Sequence, residues 1–342
     1  MTIVILYSLP TKRAKNSSYL VADEDTVLSA EKISQALKEK GATPLLIGLS
    51  ENRVKETIQS IRADLIINLI DWTGQDLPLS LIAMEELTRR GIPFAGATKE
   101  NFMLVDKVTM KKALDEFHLP TPRWQVFQTG NEPVSSQFTY PVIVKLAQEH
   151  CSIGIEKTSF VKNKNELVRV VQDRIKRFRQ EVYAEEFIKG REFQITVLEK
   201  EKGPVMLPAA EIVYKSTNQP EFLTFSERWN EYDPDYLRSN TVLALLSQEQ
   251  LIQFEAISKR TFHQLGFRDF TRIDARLKND QEFFILEANP NPGLDDDELY
   301  SMTISAKAVG LTFPDFIWEI VASCSRRSMR KEETVLTSRS KI

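Results

Sequence analysis

Two stretches near the C-terminus, "DFTRIDARL" (269–277) and "FFILEANPNPG" (283–293), alternate polar and apolar residues with a period of two. That period belongs to paired strands with one face buried and one open. In the first stretch Arg272 and Asp274 fall on one face, with Thr271, Ile273, Ala275 and Leu277 on the other. In the second, Glu287 and Asn289 share a face with Ile285. A turn centred on Asn279–Asp280 sets residue 274 opposite 285 and residue 272 opposite 287. Arg272, Asp274, Glu287 and Asn289 then converge, and a one-residue slip would part them. Two carboxylates and an amide oxygen are hard donors of the kind that hold Mg²⁺ beside phosphates. An adjacent arginine suits a developing oxyanion or a transferred phosphoryl group. The plainer reading is a solvated sheet face with a cross-strand ion pair; the ending in a Pro-Gly turn favours the functional one.

The rest of the chain supplies an α/β frame for these strands. Residues 2–7, 43–49 and 64–70 are strand-like runs separated by helical periodicity, so the first hundred residues predict a small α/β layer with a mostly parallel sheet. A helix is expected over about 101–117, closed by the proline-stiffened "LPTP". Beyond it lie the strand "YPVIVKL", the turn-rich "AQEHCSIGIEKT", a basic amphipathic helix "KNELVRVVQDRIKRF", and strands meeting at Lys189–Gly190. Residues 216–246 read as an irregular, aromatic-containing functional loop, 248–265 as a helix, and the last helix ends near 324. The tail from 326 lacks periodicity and is expected to be disordered.

Composition narrows the function. At 342 residues the chain is long enough for two or three subdomains, and its net charge of −3 argues against nucleic acid. Two distant cysteines exclude a disulfide scaffold, three histidines argue against a multi-histidine zinc site, and no run suits a signal peptide or membrane span. A cytoplasmic protein is expected. Lys107 and Lys145 are candidates to neutralise phosphates, although a lysine at a strand end is usually just solvated. Ser152 and Gly154 in "CSIGI" offer small residues whose amides suit an anion, though a plain turn serves as well. An extended segment of Glu185, Glu186, Phe187 and Ile188 suits an adenine edge, and Glu192 ribose hydroxyls; a hairpin with exposed acids fits equally.

In order and spacing, "DKVTMKKALDEFHLPTP", "YPVIVKLAQEHCSIGI", "YAEEFIKGREFQITVL", "LPAAEI", "LGFRDFTRIDARL" and "FFILEANPNPG" resemble the ATP-grasp ligases, and within them the D-alanine–D-alanine ligase family. The resemblance covers roughly residues 1–322. It implies an ATP-grasp fold, α/β and turning α+β in the C-terminal part. The implied divisions are an N-terminal α/β domain (1–105), a central subdomain (106–190), a C-terminal subdomain with the metal site (191–325) and the tail 326–342. It further implies a ligase that joins a small-molecule carboxylate to an amine through an acyl phosphate, with a homodimer as the family's common assembly. Lys107 and Lys145 would contact ATP phosphates, residues 185–188 adenine, and Glu192 ribose. Asp274, Glu287 and Asn289 would bind two Mg²⁺ ions, with Mn²⁺ as a substitute. Arg272 and Gly293 would stabilise the tetrahedral intermediate, and Arg228 stands where the family has a phosphate-side lysine.

The departures gather on the amino-acid side. The family's Gly-Gly-x-Ser-x-Glu signature is missing from "YLVADEDTVLSAEKI", leaving Glu24 or Asp25 to supply the acid. Cys151 stands for a catalytic serine, Trp229 for its tyrosine partner, and Glu298 for a serine that binds the acceptor's carboxylate. A glutamate there would repel such a carboxylate, so the leading expectation is a different acceptor, basic or lacking a free carboxylate, flanked by Asp295, Asp296, Asp297 and Glu298. A genuine D-alanine–D-alanine ligase of cell-wall synthesis is the alternative, and a nucleotide-binding pseudoenzyme is the reading from another class.

Overall fold

The computed structural model describes residues 1–215, 219–236 and 238–339, of which 331–339 as backbone only. Among them no helix is long and apolar enough to cross a membrane. Three sheets make the frame. The first is fully parallel, in the order Thr43–Leu49, Thr2–Ser8, Leu65–Leu69, Phe94–Ala95. Its central strands are buried on both faces, which accounts for their unbroken apolar runs. Ile3 and Ile5 join one core with Ile33 and Leu37 of the helix Leu20–Glu39, while Val4 and Leu6 join another with Met84 and Leu87 of the helix Leu77–Arg90. Gly91 ends that second helix at φ 70°, a conformation that favours glycine.

The second sheet is antiparallel, in the order Trp124–Phe127, Val182–Glu186, Val142–Leu146, Phe160–Val161. Leu167 and Val171 of the helix Lys164–Phe178 pack against its Val142, Val144 and Val182. The third runs Ser239–Leu243, Ala210–Tyr214, Arg191–Lys200, Phe270–Lys278, Glu282–Asn289, with Gly203–Met206 paired to Arg191–Lys200. Gly203–Met206 and Ala210–Tyr214 are separate strands, parted by residues 207–209. The irregular segment 216–246 contains a short helix, Phe225–Trp229, and the strand Ser239–Leu243, and its residues 216–218 and 237 lie outside the described residues.

The helix expected over 101–117 restarts at Asp106, whose side chain accepts from the Thr109 amide at 2.7 Å. This cap makes Lys107 the first residue of the helix Lys107–Glu116. The last helix runs Phe313–Arg339, well past the expected end near 324, so the disorder expected from 326 is replaced by helix up to 339; residues 340–342 lie outside the described residues. Charge explains the extension. The fully buried Asp269 accepts from the Gly96 amide at 3.1 Å and Ser323 Oγ at 2.9 Å, and is also bonded by Arg327, whose Nη2 reaches Phe94 O at 2.8 Å.

The register of the two C-terminal strands differs from expectation in an instructive way. The hairpin closes at Lys278 opposite Glu282, so the loop holds three residues, with Asn279 and Asp280 at φ 52° and 57°. This moves the pairing by one and sets Ala275 opposite Ile285. Continued unbroken, it would turn Glu287 to the face of Ile273. Instead a β-bulge leaves Leu286 unpaired, and Asp274 then faces Glu287 while Arg272 faces Asn289. Ile285 lies on the core face, fully buried, and not with Glu287 as expected; Leu286 takes the cleft side. The bulge is held by the proline-stiffened linker: Ile285 N–H donates to Pro120 O at 2.7 Å, and Thr121 Oγ donates to Ile285 O at 2.9 Å.

Deleting Leu286 would drive Glu287 into an apolar core. Unfolding in urea should show a loss of about 4 kcal/mol or more, as for an unpaired buried charge. Leu286→Ala, which keeps the bulge, should lose less than about 2 kcal/mol because the side chain is only half-buried. Equal losses would show that the bulge does not set the faces.

Candidate active site

A cleft of about 950 Å³ opens where the three sheets meet. Its floor is the site face of Phe270–Lys278 and Glu282–Asn289, and the expected quartet converges there. Arg272 holds Asp274 by two bonds, Nε to Oδ1 at 2.7 Å and Nη2 to Oδ2 at 2.9 Å. Asn289 Nδ2 reaches Asp274 Oδ2 at 3.3 Å. Glu287 is paired across the strands with Asp274 and accepts from Lys107 Nζ at 2.7 Å. The helix cap at Asp106 is what aims Lys107 at this carboxylate.

The charges are coupled. Burial pushes the Glu287 carboxyl up, but Lys107 first, then Lys145 and Arg272, overrule it and hold it at about 2. For Asp274 burial wins, aided by the neighbouring Glu287 charge, and its carboxyl is pushed up despite Arg272. Each of the two adjacent carboxylates is matched by a cation here, Glu287 by Lys107 and Asp274 by Arg272. Among the described residues no three His, Cys, Asp or Glu side chains gather as a metal cage. The donors present, two carboxylates and an amide, fit Mg²⁺ that draws its remaining oxygens from substrate phosphates and water.

Lys145 and Glu185, expected on phosphate and adenine, are joined to each other. Lys145 Nζ lies 2.6 Å from Glu185 Oε1, and the fully buried Lys111 Nζ lies 2.6 Å from Oε2. Burial opposes the charge on Glu185, but the two lysines more than offset it and lower its pKa. Glu185 therefore anchors Lys145, and Glu186, Phe187 and Ile188 line the cleft beside it. The Glu186 carboxylate is turned to the Thr139 amide, at 2.7 Å. Glu192 also lines the cleft and accepts from Tyr214 OH at 3.0 Å and from Arg276.

In the "CSIGI" turn, Cys151 and Ser152 line the cleft at φ 50° and 62°. Inside the turn Ile153 N–H donates to His150 O and Ile155 N–H to Ser152 O. Gly154 is not a lining residue. It sits at φ 76° where a Cβ would meet Leu146 Cδ1 at 2.5 Å, so its smallness serves packing. Arg228 and Trp229 line the cleft, the Arg228 guanidinium 5.2 Å from the indole centroid, and Trp229 Nε1 donates to Cys151 O at 3.1 Å.

On the amino-acid side two expectations are corrected. Glu24 is exposed on its helix, and its neighbour Asp25 lines the cleft and accepts from Tyr300 OH at 3.1 Å. Gly293 stands beside this pair: a Cβ there would lie 3.8 Å from Tyr300 and 3.9 Å from Asp25. Glu298 is 85% exposed and pairs with Lys307 at 2.9 Å, away from the cavity. Asp295 and Asp296 pair with Lys32 at 2.6 Å and 3.0 Å, leaving Asp297 as the one of the four acids that lines the cleft.

Sequence reasoning missed Arg276, although it continues the alternation of Arg272 and Asp274, and it missed the Asp71–His150–Cys151 cluster. His150 Nδ1 lies 3.0 Å from Asp71 Oδ2 and 3.7 Å from Cys151 Sγ. Burial lowers the imidazole pKa, but the Cys151 and Asp71 charges raise it well above its ordinary value. Burial opposes a thiolate at Cys151, yet His150 and then Arg228 bring its pKa down. Nothing in the sequence marked Tyr300.

Residues 114–322 match the family model described as D-ala D-ala ligase C-terminus. A D-alanine–D-alanine ligase of Carboxydothermus hydrogenoformans is 28% identical over 309 residues, spanning 87% of this chain and 93% of that protein. One from Bordetella pertussis is 26% identical over 318 residues, spanning 91% and 94%. Among solved structures, the D-alanine–D-alanine ligase from Bacillus anthracis complexed with ATP superposes with a TM-score of 0.72 at 17% identity, covering 97% of this chain and 99% of that one. The VanG D-Ala:D-Ser ligase from Enterococcus faecalis gives 0.71 at 18% identity, covering 94% and 99%.

The thiol environment has a measurable consequence. Cys324 is buried and pushed up to about 12 by burial and Asp269, so iodoacetamide should label Cys151 alone. The labelling rate should rise with a midpoint below the ordinary thiol value of about 8.5. His150→Ala removes the larger cationic influence and should move that midpoint upward. An unmoved midpoint would show that His150 does not stabilise the thiolate.

Proposed function

The chain belongs to the D-alanine–D-alanine ligase family, an ATP-grasp ligase that forms a carbon–nitrogen bond with release of ADP, and from that premise we propose which residues act and what they accept. The observation that carries the reading is the bulge-set convergence of Arg272, Asp274, Glu287 and Asn289 opposite Lys107 and Lys145. ATP phosphates lie against Lys107 and Lys145, with adenine along 186–188 and ribose at Glu192. Asp274, Glu287 and Asn289 hold two Mg²⁺ ions, which when bound offset charge on the phosphates. The donor carboxylate attacks the γ-phosphorus, the bond to ADP breaks, and an acyl phosphate results. An amine then attacks the acyl carbon and inorganic phosphate leaves. Arg272, with the Gly293 backbone, faces the tetrahedral oxyanion, and Arg228 faces the transferring phosphoryl group.

For the acceptor we propose an amine without a free carboxylate, or a basic one. The support is that three carboxylates, Asp25, Asp71 and Asp297, line this cleft, with Asp25 and its partner Tyr300 beside Gly293. An amino-acid carboxylate placed there meets like charge, whereas an ammonium group meets partners. The relatives' names support the other substrate reading, D-alanine on both sides.

ADP release with Mg-ATP separates these readings when D-alanine alone is compared with D-alanine plus carboxylate-free amines. Amine-dependent turnover is expected. Strong stimulation by D-alanine alone would overturn the acceptor proposal, and ATP binding without turnover on any pair would favour a pseudoenzyme. Asp25→Asn should shift the preference among acceptors by about tenfold or more in kcat/KM, with ATP affinity little changed. Glu298→Ser should leave that preference within about twofold, because the side chain is turned to Lys307.

A further inference from the structure

Arg276 lies two residues beyond Asp274 on the same face, its side chain almost fully buried. Its guanidinium joins the segment Ile188 to Glu192 with Glu221, which is distant in sequence. Nη1 donates to Ile188 O at 2.8 Å, in the segment proposed to meet adenine. Nη2 donates to Glu192 Oε2 and to Glu221 O. The Cζ atom sits 4.6 Å from the Phe187 ring centroid. Tyr214 OH donates to the same Glu192 oxygen at 3.0 Å, so both donors gather on Oε2 and Oε1 has no hydrogen-bond partner among the described residues.

Glu221 belongs to a strap that crosses this end of the cleft. Phe222 of the strap stacks on Phe160, centroids 6.1 Å apart and planes at 13°, and meets Phe187 edge-on at 6.2 Å. Arg238 fastens the same stretch through Phe222 O at 2.6 Å and Glu227 at 3.2 Å. The strap therefore has an anchor of its own at Arg238, and Arg276 joins it by hydrogen bonds to Ile188 and Glu192. A planar guanidinium suits this task, since its fork offers donors in several fixed directions at once.

We propose that Arg276 is the positioning residue through which the cleft reads the ribose of its nucleotide. It fixes Glu192 with one carboxylate oxygen open to accept a ribose hydroxyl, and it passes the state of that carboxylate to the strap through Glu221 O. A nucleotide that bonds Oε1 stiffens Glu192, then Arg276, then the strap; one lacking the hydroxyls leaves the strap as it was. The proposal rests on the reading of this cleft as the ATP site.

The test is equilibrium binding of ATP and of 2′,3′-dideoxy-ATP, each with Mg²⁺, to the full-length protein and to Arg276→Met and Arg276→Lys. The unaltered protein should prefer ATP by about tenfold, which corresponds to about 1.4 kcal/mol. Arg276→Met should reduce that preference to less than about twofold and raise KM for ATP more than it lowers kcat. Arg276→Lys keeps the charge beside Glu192 but not the fork, so it should restore the preference without restoring the strap. The strap is read by hydrogen exchange of the 219–236 amides, which ATP should slow in the unaltered protein and dideoxy-ATP should not. An unchanged preference in Arg276→Met, or equal protection of the strap by both nucleotides, overturns the proposal. Should Arg276→Met not fold, the exchange comparison on the unaltered protein decides alone. Failure of the unaltered protein to bind ATP at all would instead overturn the ligase reading, and this inference with it.

Discussion

One unpaired residue, Leu286, determines whether Asp274 and Glu287 share the cleft face of their sheet. Side chains on paired strands alternate, so any odd shift of register sends a polar set to the core. The three-residue hairpin loop makes one such shift and the bulge makes a second; together they are even, and Asp274 faces Glu287. The device is anchored from outside the sheet. Ile285 is tied to Pro120 and Thr121, Thr121 Oγ accepts from Lys111 Nζ at 2.6 Å, and Lys111 pairs with Glu185. The linker between the first layer and the second sheet thus holds the floor of the cleft and the Lys145–Glu185 pair in one connected network.

That network also explains how so many charges lie together in a buried place. Lys107 is matched by Glu287, Lys145 and Lys111 by Glu185, Arg272 by Asp274, Arg276 by Glu192 and His150 by Asp71. Removing one member of a buried pair costs several kcal/mol, typically about 3–5. In the proposed reaction nothing is left unmatched. A nucleotide polyphosphate brings negative charge to the lysines while its cations bring positive charge to Asp274 and Glu287. The pairs seen here and the bound state are two balanced arrangements of the same groups, and exchange between them leaves no isolated charge.

Much of this was legible in the chain. Alternation in "DFTRIDARL" announced the face carrying Arg272 and Asp274, and the unbroken apolar runs of the first layer announced a parallel sheet. What the sequence did not show was register, because a bulge is a local excess of one residue that no period reveals. It also did not show direction around a helix. Glu24 and Asp25 are adjacent acids, and only packing of the helix Leu20–Glu39 decides that one meets solvent and the other the cleft. The tail was misread for a related reason. "RRSM" has no apolar stripe, and its helix is fixed by a charge, Arg327 on the buried Asp269, rather than by hydrophobic burial.

The four acids from Asp295 to Glu298 look like a substrate surface in the sequence, yet their main work is architectural. Lys32 pairs with Asp295 and Asp296, and Lys32 stands seven residues beyond Asp25, on the same face of the helix Leu20–Glu39. Docking Lys32 on this acid run agrees with the rotation set by Ile33 and Leu37 in the core. With that rotation fixed, Asp25 two turns earlier is aimed at Tyr300, and Ser29 between them also borders the cleft. The acid run therefore acts on the cleft at one remove: it contacts the helix through Lys32, and the helix carries Asp25 to Tyr300. A change of acceptor in this fold need not come from residues on the Pro-Gly loop itself, because the opposite wall is carried by a helix that the loop meets through Lys32.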